Sequence, residues 1–435
     1  MSFKIFASLL TGLAFLANPE PTEATMYSCV KSQPEPVAKL AFLRNERAVR
    51  PEQFGAIGDG STDDTVALAK ADSFAAKHNL YLSLSPSRTY LIANFRPRTR
   101  GIIGGHSTIK FTDNGDGPGL VLTGNQIVSD LAVDANGRLN GIHITDTKNI
   151  TINNIIVRNS SYSGIYSDNV SGLFIHNSTV VGNRFGFFFR NLNNFFLDNV
   201  AAMNNGFSRY RNDHGITLKH AHDGLIRNVT VARNAAIGLE IARGINISIE
   251  RLCTYMNGSM GLSIANSTRI SAREIQVRET NLYGIEIAAT LGSSRIAFDH
   301  AQVTGYPLRP GQNRLDRGWS ISGKVEELFI SNSRAEGAVR NLEASGFSRK
   351  ITLQNFISRN PISNGIHLKA SSVQLKDVVA EGGQVSLVLD GAKDVRLSET
   401  LTPMGILMIN PPVSFQEVRK AGQKGSNERF VVRSR

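Results

Sequence analysis

Apolar and polar residues alternate in short runs along most of the chain, and one of these runs returns at a regular interval. Each return starts with a glycine, which an apolar, a variable and an apolar residue follow. Alternation with a period of two is typical of a strand that has one buried face. The runs start at Gly141, Gly164, Gly186, Gly215, Gly238, Gly261 and Gly284, with weaker copies at Gly318 and Gly365. A unit of about 23 residues that is repeated in this way predicts a solenoid.

Two more strand-like runs lie between successive glycines, as at residues 245–249 and 275–277. They are rich in Ile, Val, Phe and Thr, and no helical period separates them, so each repeat predicts three short strands. This describes an all-β fold, a right-handed parallel β-helix with coils of about 23 residues. Asparagines recur late in each repeat, where they are expected to form turns and to hydrogen-bond from coil to coil rather than to bind sugar. They are Asn159, Asn183, Asn205, Asn234 and Asn257.

The segment upstream of the repeats is expected to cap the open end of the solenoid, which otherwise exposes strand edges. It reads FGAIGDGSTDDTVAL at residues 54–68. Ser61 or Thr62 is predicted to cap a helix that ends near His78. The first turn of this helix then holds the pair Asp63–Asp64 near the positive end of the helix dipole. Capping explains the pair of carboxylates without catalysis.

The same segment carries a resemblance to a known family. Its phrase from Phe54 to Thr65 closely resembles the N-terminal motif of the pectate-lyase-like β-helix superfamily, and the repeats extend the resemblance over roughly residues 50–400. Members of this superfamily include polygalacturonases, mannuronan C-5 epimerases, pectate lyases and phage tailspike depolymerases. The resemblance implies a right-handed parallel β-helix and a carbohydrate substrate. It does not select a reaction, because one scaffold serves hydrolases, lyases and epimerases.

Two motifs that belong to individual subfamilies are incomplete here. The coils lack the Asp-Asp pair of the polygalacturonases, whose Gly-His-Gly element is matched only in part by His214-Gly215. The coil that corresponds to the Asp-Pro-His-Glu type element of the mannuronan epimerases reads GIYSDN at residues 164–169. The reaction therefore has to be argued from the outward residues of the coils.

The chain is predicted to divide into four segments. Residues 1–24 resemble a secretory signal peptide, because Lys4 precedes an apolar run that small residues follow. Residues 25–49 are predicted to be a linker, residues 50–410 the β-helix with its cap, and residues 411–435 a basic tail. The expected location is therefore the periplasm or the cell exterior. The apolar run is too short to span a bilayer, so no membrane insertion is expected.

The net charge of +12 favours polyanionic partners, which include acidic polysaccharides and nucleic acids. Lys and Arg are spread along the chain without a helix-turn-helix, zinc-finger or RNA-binding pattern, so nucleic acid is not an expected partner. Neither a cofactor nor a metal site is predicted, since the coils have no calcium-binding repeat and no dense cluster of aspartates. The two cysteines, Cys29 and Cys253, form no disulfide framework and are expected to be unlinked. The oligomeric state is left open.

In each repeated run the variable residue points outward, because side chains alternate across a strand. Neighbouring coils lie about 4.8 Å apart, so equivalent residues form columns along the solenoid. One column consists of His143, Tyr166, Phe188, Thr217, Glu240, Ser263 and Glu286. Two positions later, a second column consists of Thr145, Asp168, Arg190, Lys219, Ala242, Ala265 and Ala288.

The step from Gly186 to Gly215 is about six residues longer than its neighbours, which predicts an inserted loop at residues 207–214. Binding and catalysis tend to lie in loops on a rigid scaffold. Substrate binding is expected at the polar and aromatic positions near this loop, since rings stack on pyranose faces and Arg holds carboxylates. These positions are His143, Tyr166, Asp168, Phe188, Arg209, Arg211 and Glu286.

The leading hypothesis is an enzyme that acts on an acidic polysaccharide by C5-proton abstraction, as a lyase or an epimerase. This chemistry needs a cation at the C5 carboxylate, a base for the C5 proton and an acid. Arg190 and Lys219 are candidates for the cation. His214 is the candidate base, and Tyr210 is the candidate acid.

The alternative is a glycoside hydrolase of the polygalacturonase-like type, in which Glu240 works with Glu286 or with Asp213. Glu240 and Glu286 lie two coils apart, roughly 10 Å at the backbone, which fits an inverting pair of carboxylates. A third reading is a β-helix without catalysis that binds a polysaccharide or assists its export. Whether the chain is an enzyme therefore stays open at the level of sequence.

Overall fold

The computed structural model describes residues 47–112, 116–207, 213–305, 315–391, 394–398, 407–410 and 415–418. The predicted signal peptide lies outside the described residues, as does most of the predicted tail. The candidate site residues Arg209, Tyr210 and Arg211 also lie outside them.

The described residues form a right-handed parallel β-helix, which confirms the fold predicted from the repeat. One sheet holds the strands, and each pairs in parallel with its equivalent in the next coil. The strands are β1 (Ala48–Val49), β2 (Asp59–Asp63), β3 (Tyr81–Ser83), β4 (Thr89–Ile92), β5 (Gly101–Phe111), β6 (Leu120–Leu122), β7 (Gln126–Asp134), β8 (Asn140–Arg158), β9 (Ser163–His176), β10 (Thr179–Val181), β11 (Phe185–Asp198), β12 (Ala201–Met203), β13 (Ile216–Lys219), β14 (His222–Ala232), β15 (Leu239–Ala242), β16 (Ile245–Tyr255), β17 (Met260–Ala265), β18 (Thr268–Arg278), β19 (Tyr283–Thr304), β20 (Arg317–Glu336), β21 (Arg340–Arg359), β22 (Asn364–Ala370), β23 (Ser372–Lys376), β24 (Val379–Ala380), β25 (Val385–Asp390), β26 (Asp394–Ser398), β27 (Leu407–Asn410) and β28 (Phe415–Val418). Because β28 pairs with β26, the coils continue into the segment that was predicted to be a tail.

The turns inside a coil are so tight that many strands run into one another. In β8 each turn uses a single residue with a positive φ, namely Asp146 (49°), Asn149 (57°) and Asn154 (54°). Asn and Asp enter this left-handed region more readily than other non-glycine residues, because their short polar side chains bond to the local backbone. The three strands expected per coil are therefore present in β8 as one continuous ladder of 19 residues.

The interior of the solenoid is a continuous core of apolar side chains. Ile165, Phe187, Ile216 and Leu239 follow one another in register through successive coils, and each is 0% exposed. Burial of such stacked side chains supplies about 25 cal/mol per Å² of apolar surface, so the core provides the main stabilisation of the fold. It also fixes which residues of each strand must point outward.

A ladder of asparagines runs beside this core. Neighbouring side chains in the ladder donate Nδ2–H to Oδ1 at 3.0–3.2 Å, and all are at most 2% exposed. The ladder consists of Asn183, Asn205, Asn234 and Asn257. The predicted structural role is confirmed for these four, because buried amides need such partners. Asn159 differs, since it is exposed and donates to Asp134 Oδ1 at 2.9 Å.

A short 3-10 helix, Pro51–Phe54, and the helix α1, Thr65–Lys77, cover the first coils. The start of α1 differs from the prediction, because residues 59–63 form β2 and pair with β4. Asp64 is the last residue before the helix, and its carboxylate accepts the amides of Ile57 at 2.7 Å and Gly58 at 3.0 Å. This carboxylate therefore anchors the preceding loop. No helix in the described ranges is long and apolar enough to cross a membrane.

Cys253 lies on the outer side of β16, where it is 1% exposed, and it is disulfide-bonded. The expectation of two unlinked cysteines was therefore wrong. Sequence spacing could not reveal this bond, because the solenoid brings together residues that lie far apart along the chain. Cys29 lies outside the described residues.

Candidate functional site

The register of the first strand of each coil places the outward residues in columns, as predicted. Tyr166 pairs with Phe188, Phe188 with Thr217, and Thr217 with Glu240. The structure extends this column beyond the predicted members through further coils. We call it the first-strand column, and it consists of His143, Tyr166, Phe188, Thr217, Glu240, Ser263, Glu286, Ser320, Glu343 and His367.

The first three members of the column form a stack of rings. His143 lies on Tyr166 with centroids 5.1 Å apart and planes at 11°, and Tyr166 lies on Phe188 at 5.9 Å and 4°. Burial lowers the pKa of His143, which favours a neutral imidazole. Rings of the protein lie on both faces of the Tyr166 ring, so its predicted substrate contact does not use a ring face. A sugar at this position meets the ring edge and the hydroxyl.

Asp168 and Arg190 lie in adjacent coils, each two positions after a member of the first-strand column, and they form an ion pair with each other. Asn191 Nδ2 donates to the second carboxylate oxygen of Asp168 at 2.9 Å. Burial raises the pKa of Asp168, but the hydrogen bonds from Arg190 and Asn191 outweigh it and hold the pKa below its ordinary value. Arg190 is thus committed to a protein carboxylate. Of the two predicted cations, Lys219 is the stronger candidate for a substrate carboxylate.

His214, Thr217 and Glu240 form the polar centre of the site. His214 Nδ1 lies 3.1 Å from Thr217 Oγ1 and 3.3 Å from Glu240 Oε2. The side chains of His214 and Glu240 are 5% and 17% exposed. His214 Nε2 is buried and has no hydrogen-bond partner within the part of the chain that the structure describes. Glu240 Oε2 likewise has no hydrogen-bond partner there, so it faces Nδ1 as a nearby charge. In the tautomer that carries its proton on Nδ1, toward Glu240, the lone pair of Nε2 is available to act as a general base.

Lys219 lies in the coil between the ring stack and Glu240. Its Nζ is 5.4 Å from the centroid of the Phe188 ring. Burial raises the pKa of Glu240, but the contact with His214 and its charge, together with the charge of Lys219, outweigh this effect and lower the pKa. Glu240 is therefore an anion in a sheltered position, and the ammonium beside it can meet a second carboxylate, such as that of an acidic sugar.

Ser263 separates Glu240 from Glu286 in the first-strand column. Ser263 Oγ donates to Glu286 Oε2 at 2.9 Å. Burial and the charge of Glu240 raise the pKa of Glu286, and the hydrogen bond from Ser263 offsets them only in part. Two carboxylates of one column thus have opposite pKa shifts, which is the pattern of an acid and a base. In the described ranges, no three His, Cys, Asp or Glu side chains lie close enough together to hold a metal.

Asp213 does not join Glu240 in this site. It is 0% exposed, and its carboxylate accepts Arg184 Nε at 3.0 Å and the Phe207 amide at 3.1 Å. These bonds tie together the two sides of the inserted loop. The carboxylate of Asp213 is thus used inside the fold, and its catalytic role stays a prediction. The roles of Arg209, Tyr210 and Arg211 stay predictions, since these residues lie outside the described part of the chain.

Comparison with known proteins agrees with the architecture. A family model described as a right handed beta helix region matches residues 140–303. The A-module of a mannuronan C-5 epimerase of Azotobacter vinelandii is similar over 81% of this chain and 99% of that chain, with 18% identity and a TM-score of 0.59. The chain has the fold of the right-handed β-helix superfamily. This confirms the resemblance that the capping motif and the repeats indicated.

A second solved structure is less similar. The family 28 exopolygalacturonase of Yersinia enterocolitica is similar over 83% of this chain and 79% of that chain, with 12% identity and a TM-score of 0.48. No curated protein matches the sequence. At these identities the likeness concerns the fold alone, so the chemistry has to come from the residues of the site.

Sequence reasoning missed a cluster of three residues, Tyr162, Arg184 and Phe185, of which Phe185 lies against His214. The Phe185 ring lies 5.1 Å from the Tyr162 ring and 6.1 Å from the His214 ring, measured between centroids. Arg184 Cζ lies 5.7 Å from the Tyr162 centroid. A signal was present, because Phe185 and His214 both immediately precede the glycine of their repeat and so share an outward column. The two predicted columns start inside the repeated run and do not include the residue that precedes its glycine.

Proposed function

We propose that the chain is an enzyme that acts on an acidic polysaccharide by abstracting the C5 proton, as a lyase or an epimerase. The observation that carries this proposal is the His214–Glu240 pair, in which Glu240 faces Nδ1 and the buried Nε2 has no partner in the described chain. Lys219 supplies a cation in the coil next to that of Glu240. The fold is also one that a mannuronan C-5 epimerase uses, which is consistent with the proposal.

In this reaction the C5–H bond breaks and the proton moves to His214 Nε2. Glu240 holds the ring in position and stabilises the imidazolium that forms. The electron pair left at C5 spreads into the sugar carboxylate, whose charge Lys219 neutralises. The C4–O bond then breaks and the leaving oxygen takes a proton from the predicted acid Tyr210 or from water, which gives an unsaturated sugar, or the same source protonates C5 on the opposite face, which inverts C5. Since His214 Nε2 is covered, the groove has to open over it for the sugar to enter.

The experiment follows three products at once on a panel of acidic and neutral polysaccharides. Ultraviolet absorbance reports unsaturated ends, a reducing-sugar assay reports chain cleavage, and deuterium uptake at C5 in D2O reports proton abstraction. We expect absorbance with new reducing ends from a lyase, or deuterium uptake without cleavage from an epimerase. Tight binding with silence in all three assays would leave a non-catalytic binding protein and overturn the proposal.

The substitution His214→Gln should abolish either signal, because it removes the base. His220→Gln is the matched control, since His220 is an exposed histidine in the same coil that contacts Arg243 and not the site. Equal loss in both variants would show that the effect comes from the fold and not from the base.

Hydrolysis is a second candidate, which the opposite pKa shifts of Glu240 and Glu286 favour. Glu286, with the raised pKa, then protonates the leaving oxygen, and Glu240 activates water. Their positions two coils apart, roughly 10 Å at the backbone, suit an inverting mechanism. New reducing ends without absorbance and without deuterium at C5 would favour hydrolysis over proton abstraction.

We also propose that the protein is periplasmic or secreted, on the basis of the first 24 residues. The lysine, the apolar run and the small residues that follow are the order expected of a signal peptide. Fractionation of cells, with N-terminal sequencing of the product, is the test. An intact N-terminus in the cytosolic fraction would contradict it.

A further inference from the structure

A second cluster of charged residues lies further along the same face of the solenoid. Arg317 and Arg340 both donate to one oxygen of Glu343, its Oε2, and the bond from Arg340 Nη1 measures 2.7 Å. Arg317 Nη1 also donates to Tyr283 Oη at 2.7 Å, and its guanidinium lies 5.0 Å from the centroid of that ring. The cluster is held in place from several sides, which orients the two guanidiniums.

The register connects this cluster to the candidate site. Glu343 belongs to the first-strand column and follows Glu286 and Ser320 in it. Arg317 and Arg340 are register partners in adjacent coils, at the outward position that precedes the column. The coil of Glu343 lies four steps beyond that of Glu240, which is roughly 19 Å along the axis. A polysaccharide that lies along the column from the site passes over the cluster.

The pairing differs from that of an ordinary structural ion pair. Two guanidiniums share one carboxylate oxygen, so most of the N–H donors of Arg340 are not used by Glu343. The side chains of Arg317 and Arg340 are 23% and 34% exposed, and that of Glu343 is 16% exposed. Of the described residues, Asp316 also forms an ion pair with Arg317, with its Oδ2 3.9 Å from Arg317 Nη1 and on an exposed side chain. The other N–H groups of Arg340 have no hydrogen-bond partner among the described residues.

We infer that Arg317 and Arg340 form a binding subsite for the carboxylate of an acidic sugar residue, about five sugars from the reacting one. The inference rests on the proposed function for the position of the reacting sugar. Arg340 donates its outward N–H groups to the sugar carboxylate, and Glu343 positions both guanidiniums. A pyranose residue advances a polymer by about the rise of one coil, so a hexamer spans the distance from Lys219 to Arg340. The substrate class is thus a linear polymer with a carboxylate on most of its residues.

The test measures binding by calorimetry at low salt, with hexamers of galacturonate and of mannuronate. The same hexamers with their carboxylates reduced to alcohols are the neutral controls. We expect Arg340→Gln to weaken binding of an acidic hexamer about tenfold, because it removes a charge-assisted hydrogen bond. The variant should leave binding of the reduced hexamers unchanged. Glu343→Gln should also weaken binding of the acidic hexamer, because the two guanidiniums lose the carboxylate that positions them.

Arg349→Gln is the matched control. Arg349 is an exposed arginine in the same strand, 68% exposed, whose partner Glu326 lies outside the column. An affinity of Arg340→Gln within twofold of the unsubstituted protein would overturn the subsite. If His214→Gln still abolishes turnover in that case, the proposed function stands and only the subsite fails. If the unsubstituted protein binds neither acidic hexamer, the subsite and the acidic substrate of the proposed function both fail.

Discussion

Two outward columns of the solenoid differ in how their charges are arranged: one places like charges close together, and the other alternates positive and negative charges. In the first-strand column, Glu240 and Glu286 are separated only by Ser263, and the charge of one raises the pKa of the other. On the second strand of the same coils the charges alternate in sign. This second-strand column consists of Asp198, Arg227, Glu250, Arg273 and Asp299.

The alternating column needs no function to explain it. Asp198 accepts Arg227 Nε at 3.0 Å and Arg227 Nη2 at 2.9 Å, and Glu250 lies 4.0 Å from Arg273, so charges of opposite sign pair between neighbouring coils. Such pairs compensate the cost of partial burial. The first-strand column instead holds two carboxylates of like charge one residue apart, and the charge of Glu240 raises the pKa of Glu286 despite the hydrogen bond from Ser263. Carboxylates that are kept close together at a cost to stability point to chemistry.

The largest expected effect separates the two columns by activity. Glu240→Gln should lower turnover about 100-fold or more, because His214 loses the carboxylate that orients it and stabilises its charged form. The measurement is the initial rate on the polymer that the unsubstituted protein converts. Glu250→Gln, in the second-strand column, is the matched control and should stay within twofold. Similar losses in both variants would remove the distinction between the columns.

The next prediction distinguishes Lys219 from Arg190 as the cation that neutralises the sugar carboxylate. Lys219→Met should lower the rate at least about tenfold, because the sugar carboxylate loses its neutralising charge. Arg190→Gln should cost little, since Arg190 is half-exposed and already paired with Asp168. Rates at saturating substrate decide between them. A larger loss from Arg190→Gln than from Lys219→Met would reverse the assignment.

The second-strand column should respond in stability and not in activity. Asp198→Asn should lower the free energy of unfolding by about 1–3 kcal/mol, because Arg227 loses a bidentate partner in a half-buried position. Burial raises the pKa of Asp198, but its contacts with His176, Arg227 and Asn228 outweigh burial and lower the pKa. The stabilising effect of Asp198 therefore exists above its ordinary value of 3.8 and is lost as the pH falls. Urea unfolding of both proteins at pH 7 and at pH 3 measures this. A stability difference that grows at acid pH would contradict it.

The smallest effect concerns Glu286, whose pKa is raised from 4.5 by burial and by Glu240. A raised pKa favours the folded state below the ordinary value, and this contribution is lost as the pH rises. Glu286→Gln should therefore become more stable relative to the unsubstituted protein between pH 4 and pH 7, by less than about 1 kcal/mol. Thermal unfolding at both values measures the change. A relative loss of stability at pH 7 would show that Glu286 is a structural residue after all.

The fold was predictable because the run that starts with a glycine returns once in each coil and so gives the coil length directly. Once the coil length is known, strand alternation fixes which residues point outward, and the columns follow without any knowledge of side-chain contacts. The start of α1 was not predictable in the same way. Residues 59–63 read as a helix cap, but they pair with β4, which is a long-range contact that local sequence does not encode.

The site was predictable only as a set of positions. Register brings Lys219, Thr217 and Glu240 together, but it does not say that the faces of the Tyr166 ring are covered or that Asp213 bonds to Arg184. Those outcomes depend on rotamers and on the path of the inserted loop. The cluster at Arg317 was not predicted. The repeated run that starts with a glycine is weaker at Gly318, so the sequence does not indicate how the first-strand column continues there.

The most direct measurement is deuterium uptake at C5 of an acidic polymer in D2O, compared between the unsubstituted protein, His214→Gln and His220→Gln. If His214 is the base of the first-strand column, exchange proceeds with the unsubstituted protein and with His220→Gln and stops with His214→Gln. If a lyase reaction follows abstraction at once, unsaturated ends replace the exchange signal and obey the same pattern. Conversion of the polymer that persists in His214→Gln would contradict the role of His214. Cleavage with neither signal would contradict proton abstraction itself.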